Sequence, residues 1–248
     1  VRCMKKVLAS IGIGNATVDT VLASSTVQPG QSVDAEIHIE GGSAEQSVDA
    51  VELDVETQCA TDDGYTEVSV GRLRLSDDFT VEPGESDVRT ATIDIPYATP
   101  VTLGRVQVWV ETELDSAMAV DAGDRDHLEV DPTPRMQAVF DAMDDLGFSF
   151  RAAECQVDRA GRYASGQSFV QEFEFHAAGG PFGGRVDEVE LVFLPAADAL
   201  TVFVEVDRRA GLLTELADAD ERTTSVSVDL TDAAVVRDQL RTTIERFA

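Results

Sequence analysis

The side chains able to do chemistry in this 248-residue chain belong overwhelmingly to one class. There are 47 Asp and Glu against 19 Lys and Arg, with three histidines and three cysteines. The pairs Glu111/Glu113, Glu172/Glu174 and Glu188/Glu190 are spaced i, i+2. That spacing puts two carboxylates on one face of a strand, as a paired general acid and base would require. In so acidic a chain it is equally the spacing of a sheet's solvated face, which is the reading adopted. Asp121, Asp124 and Asp126 resemble the start of a calcium loop, but the glycine and bidentate glutamate it needs are replaced by Asp126 and Pro132. A solvated acidic loop is expected there. Gly12-Ile13-Gly14 resembles a dinucleotide fingerprint, yet its third glycine would fall at Thr17 and no helical pattern follows. A glycine-bearing strand bend is expected instead. His38, His127 and His176 lie far apart in sequence, and His38 is placed on a polar strand face, towards solvent. Arg208-Arg209 reads as a salt-bridging turn after a strand. No G-x-S-x-G, H-E-x-x-H or G-x-x-x-x-G-K-[ST] pattern occurs. No catalytic, cofactor-binding or metal-binding residue is therefore assigned, and no cofactor is expected.

The charge has its own consequences. The formal net charge is −28, carried by nearly every segment, and the cations are 17 Arg and only 2 Lys. Such a surface repels phosphate backbones and anionic lipid, so nucleic-acid partners are not expected. In dilute buffer it also repels itself, whereas in molar salt the Debye length falls to about 3 Å and the repulsion is screened. Few lysines, many aspartates, 32 valines and 6% aromatics fit a salt-loaded cytoplasm, and a halophilic protein is expected. Cys3, Cys59 and Cys155 are widely spaced and odd in number, neither a disulfide framework nor a zinc knuckle, which fits a reducing interior. Lys5-Lys6 before the apolar run Val7 to Ile13 makes a poor signal peptide and a good first strand. No stretch approaches the roughly 18 apolar residues of a membrane span. A soluble, cytoplasmic protein is expected.

The elements that must position these groups are strands. Val33, Ala35, Ile37 and Ile39 alternate with Asp34, Glu36, His38 and Glu40; Val51, Leu53 and Val55 alternate with Glu52, Asp54 and Glu56. Ala91, Ile93 and Ile95, and Val106, Val108 and Val110, repeat the pattern. One apolar and one polar face per strand is the mark of antiparallel sheets with a wet side. Two turns echo each other, Thr26-Val27-Gln28-Pro29-Gly30-Gln31-Ser32 and Thr80-Val81-Glu82-Pro83-Gly84-Glu85-Ser86. In each, proline presets φ and glycine takes the positive φ of a type II turn. The period changes after Asp131-Pro132-Thr133-Pro134: Met136, Val139, Phe140 and Met143 predict a helix capped by Thr133 and ended by Gly147. Alternation then returns through Phe173/Phe175, Val189/Leu191/Phe193, Val202/Val204/Val206 and Val226/Val228/Leu230. A last helix is expected from near Thr231 to Phe247, with Val236, Leu240, Ile244 and Phe247 inward. This gives two β-rich domains, the second bordered by helices. Trp109 shares a strand face with Gln107 and Glu111, so the pattern sends it outward or to a domain junction; packing under the linker or the second domain is the reading adopted over an interface role. Open sheet edges are a further candidate surface, since they can accept a partner's strand.

The opening Met4-Lys5-Lys6-Val7-Leu8-Ala9-Ser10-Ile11-Gly12-Ile13-Gly14, then Val18-Asp19-Thr20-Val21-Leu22, Gln28-Pro29-Gly30 and Gly41-Gly42 with Glu45-Gln46, is similar to the SpoOM sporulation-control family. So are Pro96-Tyr97-Ala98-Thr99-Pro100, Val108-Trp109-Val110-Glu111-Thr112, Leu114-Asp115 and Ala119-Val120-Asp121. In the second half, Phe169-Val170-Gln171-Glu172-Phe173-Glu174-Phe175 and Glu205-Val206-Asp207-Arg208-Arg209 carry the likeness. Val1-Arg2-Cys3 lies outside it. The resemblance implies a mostly β chain of two arrestin-like antiparallel β-sandwich domains, residues 1–130 and 136–248 joined by a linker at 131–135. The second would carry a helix after the linker and another at its C-terminus. It further implies a non-enzymatic regulatory or adaptor protein that binds a protein partner, of unknown identity, through sheet edges. The alternatives are a metal-dependent hydrolase using the acidic loops and a structural protein that self-associates into a homo-oligomer.

Overall fold

The computed structural model describes residues 15–75, 78–116, 122–158, 160–163, 168–208 and 223–248. The first half contains β1 (Thr17–Leu22), β2 (Thr26–Val27), β3 (Ser32–Glu40), β4 (Gln46–Val48), β5 (Ala50–Thr61), β6 (Gly64–Leu75), β7 (Phe79–Val81), β8 (Ser86–Asp94), β9 (Val108–Asp115) and β10 (Gly123–Val130). Then come α1 (Pro134–Asp145), β11 (Phe148–Val157), β12 (Phe169–Ala177), β13 (Val186–Pro195), β14 (Leu200–Arg208), β15 (Thr223–Val228) and α2 (Ala233–Glu245).

Period-two patterning becomes layered sheet in the first half. Val33, Ala35, Ile37 and Ile39 of β3 are buried while Asp34, Glu36 and Glu40 are exposed. Strands β1, β3 and β8 form a three-stranded antiparallel sheet, and β6, β5, β9, β10 and β2 belong to a larger one. The two layers share one apolar core and are pinned where Thr20 Oγ1 of β1 donates to Thr112 Oγ1 of β9 at 2.8 Å. The chain changes layer at Ala23–Ser25: β1 pairs β3, and β2 pairs β10 in parallel. Both Pro-Gly turns adopt the conformation their sequence demands. Gly30 and Gly84 have φ of +86° and +72°, and the amides of Gln31 and Glu85 donate to the carbonyls of Gln28 and Glu82 at 3.1 and 3.0 Å.

Strand β5 carries the sheet onward. Along one edge it pairs β6 to its end; along the other it pairs β9 only as far as Thr57↔Val108. On the edge left beyond Thr57, β11 joins in parallel at Gln156↔Ala60, so a continuous path of nine strands runs from β2 to β15, with β6 beside it on β5 as the tenth strand of the sheet.

The second half differs from the expected second sandwich. Its described strands, β11 to β15, form a single antiparallel meander, and its apolar face is covered by helices. Met136, Val139 and Met143 of α1 and Val236, Leu240 and Ile244 of α2 are buried in the core, and Phe140 meets Phe173 and Phe193 at 5.2 and 5.5 Å between ring centroids. Two amphipathic helices thus supply the apolar cover that a second sheet would give. Thr133 caps α1 by accepting the Met136 amide at 3.4 Å, and Pro134, inside the expected linker, is already helical. Asp232 caps α2. No helix among the described residues is long and apolar enough to cross a membrane.

Candidate functional site

Strand β8 pairs only β3 among the described residues, which leaves its other edge open. The direction of its backbone groups follows from the ends of the ladder. The Ile95 amide donates to Gln31 and the Gly41 amide to Glu85, fixing Gln31/Ile95 and Gly41/Glu85 as hydrogen-bonded pairs. Alternation along the register Ser32↔Asp94 to Glu40↔Ser86 then turns the N–H and C=O of Val88, Thr90 and Thr92 away from β3, towards the open edge. Val88 is 55% exposed and Val21, two strands over, 49%. Beside the edge the outer face of the three-stranded sheet forms a groove of about 620 Å³ lined by Val21, Ala23, Asp34, Glu36, Thr90 and Thr92, with Ala35 and Ala91 at its floor. Unpaired backbone groups next to a mixed apolar and acidic groove form a template for an extended chain.

The carboxylate pairs singled out in the sequence divide between two sheet faces. Glu111 and Glu113 lie on β9 opposite Asp54 and Glu52 of β5. Arginines of neighbouring strands cover this face: Arg72 Nε is 2.8 Å from Asp54, Arg125 Nε 2.6 Å from Glu111, and Arg74 bridges Glu52 and Asp115. The outer face of the meander is more one-sided. Register places Glu174, Glu190 and Glu205 in one row across β12, β13 and β14, and His176, Glu188 and Asp207 in the next. Like charges directly opposite repel, and the carboxyls respond. Burial, then the Glu190 charge, pushes Glu172 up to about 7; burial, then Glu205, raises Glu190; burial, then a hydrogen bond with Glu174, raises Glu188.

Within that face Glu174, His176 and Glu188 offer donor atoms that all lie within 4.8 Å of one another. His176 Nε2 is 3.2 Å from Glu174 and 3.1 Å from Glu188, while Arg151 approaches Glu174 at 3.1 Å and His176 at 3.0 Å. Imidazole with two carboxylates suits a borderline divalent metal, which would have to displace the Arg151 guanidinium. Sequence reasoning listed these three residues separately; what joins them is the cross-strand register His176↔Glu188.

The remaining candidates separate. Asp124 and Asp126 face Asp19 at the seam where β1 runs beside β10, and the Thr20 amide donates to Asp124 at 2.7 Å. Burial, then the Asp124 charge, pushes Asp126 up to about 7. His38 sits half-buried on the polar face of β3, 3.6 Å from Glu36. Trp109 is packed away, 2% exposed, and not turned outward as alternation alone would place it. Its face is closed over by Arg125, 4.5 Å from the ring, and by His127 edge-on, while Nε1 donates to Glu56 at 3.1 Å. A cation stacked on the indole buries a position that alternation alone sends to solvent. Cys3, Gly12, Gly14, Asp121 and Arg209, and the expected strand from Val7 to Ile13, lie outside the described residues.

The family model described as SpoOM protein matches residues 4–210. The chain belongs to that family. Of its relatives, the sporulation-control protein Spo0M of Bacillus subtilis strain 168 is 33% identical over 255 residues, covering 98% of this SpoOM-family chain and 98% of the relative. The crystal structure of Spo0M from the same organism superposes with a TM-score of 0.83 at 31% identity, covering 95% of this chain and all of that one. The mostly β architecture is thus that of a SpoOM protein.

Proposed function

We propose that this chain is a non-enzymatic, arrestin-like regulatory adaptor that recruits a protein partner by strand addition to β8. The observation that carries this is the edge of β8 that no described strand pairs, with the amides of Val88, Thr90 and Thr92 turned outward beside the groove. Main-chain hydrogen bonds there supply affinity, and the groove supplies side-chain selection. Kinship with a sporulation-control protein supports a regulatory role. On this reading residues 1–130 and 136–248 are two domains joined by a linker at 131–135, and the acidic surface keeps the protein soluble in a high-salt cytoplasm.

The test is Thr90→Pro. Proline at this position removes an outward N–H while leaving the β3 ladder its own pairs, because Thr90 is in a non-hydrogen-bonded pair with Glu36. Tagged wild type and variant are captured from the native lysate in molar KCl and compared by mass spectrometry. A stoichiometric partner bound by wild type and lost from a folded Thr90→Pro variant supports the reading. A partner retained in full by the variant refutes edge addition, and a dimer in light scattering that Thr90→Pro dissolves identifies the added strand as a second copy.

A further inference from the structure

The junction between β5 and β11 holds two groups that partner binding at β8 does not use. Cys59 is 0% and Cys155 1% exposed, and both are free thiols. The parallel pairing Gln156↔Ala60 sets the residues before them side by side on the same face of the sheet. Cys59 is the neighbour that acts most on the Cys155 thiol, and Thr57 Oγ1 lies 3.9 Å from Cys155 Sγ. Neighbouring strands run about 4.8 Å apart, inside the Cα separation of about 4.4–6.8 Å that a disulfide bridges. The two residues are 96 positions apart in the chain yet meet at the place where the sheet passes from the first half to the second.

We propose that Cys59 and Cys155 are a redox-addressable pair, oxidised by a peroxide to a reversible disulfide that locks the two halves of the sheet together. One sulfur, as thiolate, attacks a peroxide oxygen; the O–O bond breaks and the departing oxygen leaves as water, giving a sulfenic acid. The second sulfur attacks that sulfenic sulfur, the S–S bond forms, and the hydroxyl leaves as a second water with the second thiol's proton. Two thiols and one hydrogen peroxide become one disulfide and two waters, with two electrons passing from sulfur to oxygen. A low-molecular-weight dithiol reverses the step.

The surroundings set the rate. The hydrogen bond to Cys59, and then burial, push the Cys155 thiol well above its ordinary value, so thiolate is scarce while the junction is closed. Oxidation therefore waits for β11 to open locally from β5, to which one bridge pair registers it. The observed rate rises with peroxide and then levels at the opening rate. Two thiols serving only as small core side chains would stay reduced in the folded protein.

The experiment uses the full chain carrying Cys3→Ser, folded in molar KCl. It is treated with hydrogen peroxide, blocked with iodoacetamide and mapped by mass spectrometry without reduction. The expected result is one cross-linked species joining the Cys59 and Cys155 peptides, two hydrogens lighter than their sum and restored by dithiothreitol. Its formation saturates with peroxide concentration. Closing a loop of about 100 residues should also raise the thermal midpoint by about 5–15 °C. Recovery of both cysteines as separately alkylated thiols, their oxidation one at a time to sulfinic acids, or a disulfide that leaves the midpoint unchanged would each overturn the proposal.

Discussion

Asp126→Asn should make the protein more stable, by an amount that grows from about pH 4 and is complete above about pH 7. Oδ2 of Asp126 is shut off from solvent and has no hydrogen-bond partner, and the Asp124 and Asp19 charges bear on it. Its carboxyl is pushed from an ordinary value near 3.8 up to about 7. Between those two values the folded chain keeps a proton that the unfolded chain has released, so wild-type stability falls as pH rises across the window. The penalty is complete above pH 7 and absent below about 4. Three units correspond to about 4 kcal/mol at about 1.36 kcal/mol each. Because part of the residue still reaches water, screening reduces this to about 1–2 kcal/mol. The amide keeps the shape, carries no charge and has an N–H to offer Asp124, as a protonated acid would have its O–H. Urea unfolding at fixed molar KCl reads the difference: the variant gains about 1–2 kcal/mol at pH 8 and about nothing at pH 4. An equal gain at both pH values, or a loss at pH 8, would refute the assignment of this strain to the Asp126 charge.

Removing salt should unfold the chain, because a charge of −28 is unscreened at low ionic strength; a circular dichroism spectrum unchanged from molar KCl to dilute buffer would contradict this. Trp109, the single tryptophan, should emit at short wavelength when folded and shift to the red on unfolding. Trp109→Phe should cost about 1–2 kcal/mol in urea unfolding, since it leaves Glu56 without the indole N–H. The two Pro-Gly turns should respond unequally to alanine. Gly84→Ala meets open space and should cost about 1 kcal/mol for its positive φ alone, whereas at Gly30 the new Cβ would lie 2.4 Å from the Tyr97 ring and the loss should be larger. Equal midpoints for the two variants would count against that packing.

Local pattern carried the strands. In β3 every apolar position is buried, and in β12 Phe173 and Phe175 go inward while Glu172, Glu174 and His176 stay on the wetter face. The Pro-Gly turns were legible because their chemistry is confined to four residues. What depends on register between distant strands was not. No spacing in the chain says that Cys59 meets Cys155, that Asp19 faces Asp126 across 107 positions, or that His176 falls beside Glu188. Asp54 shows the same limit: alternation puts it on the wet face, yet Arg72 from the next strand covers it and leaves it buried. The meander's helical cover was missed for a different reason. An amphipathic helix and an apolar sheet face each announce that they will be buried, but neither says against what.

The parallel contact at Gln156↔Ala60 also imposes an order of events on a chain made from its N-terminus. Every strand that β5 pairs with along its length, β6 and β9, has left the ribosome before β11 is synthesised. The meander from β11 to β15 is built from neighbours in sequence and closes quickly on its own. At Ala60 the edge of β5 away from β6 therefore stays unpaired until the second half arrives. During that interval it is the place where a nascent chain can be captured by a chaperone, or by the wrong strand.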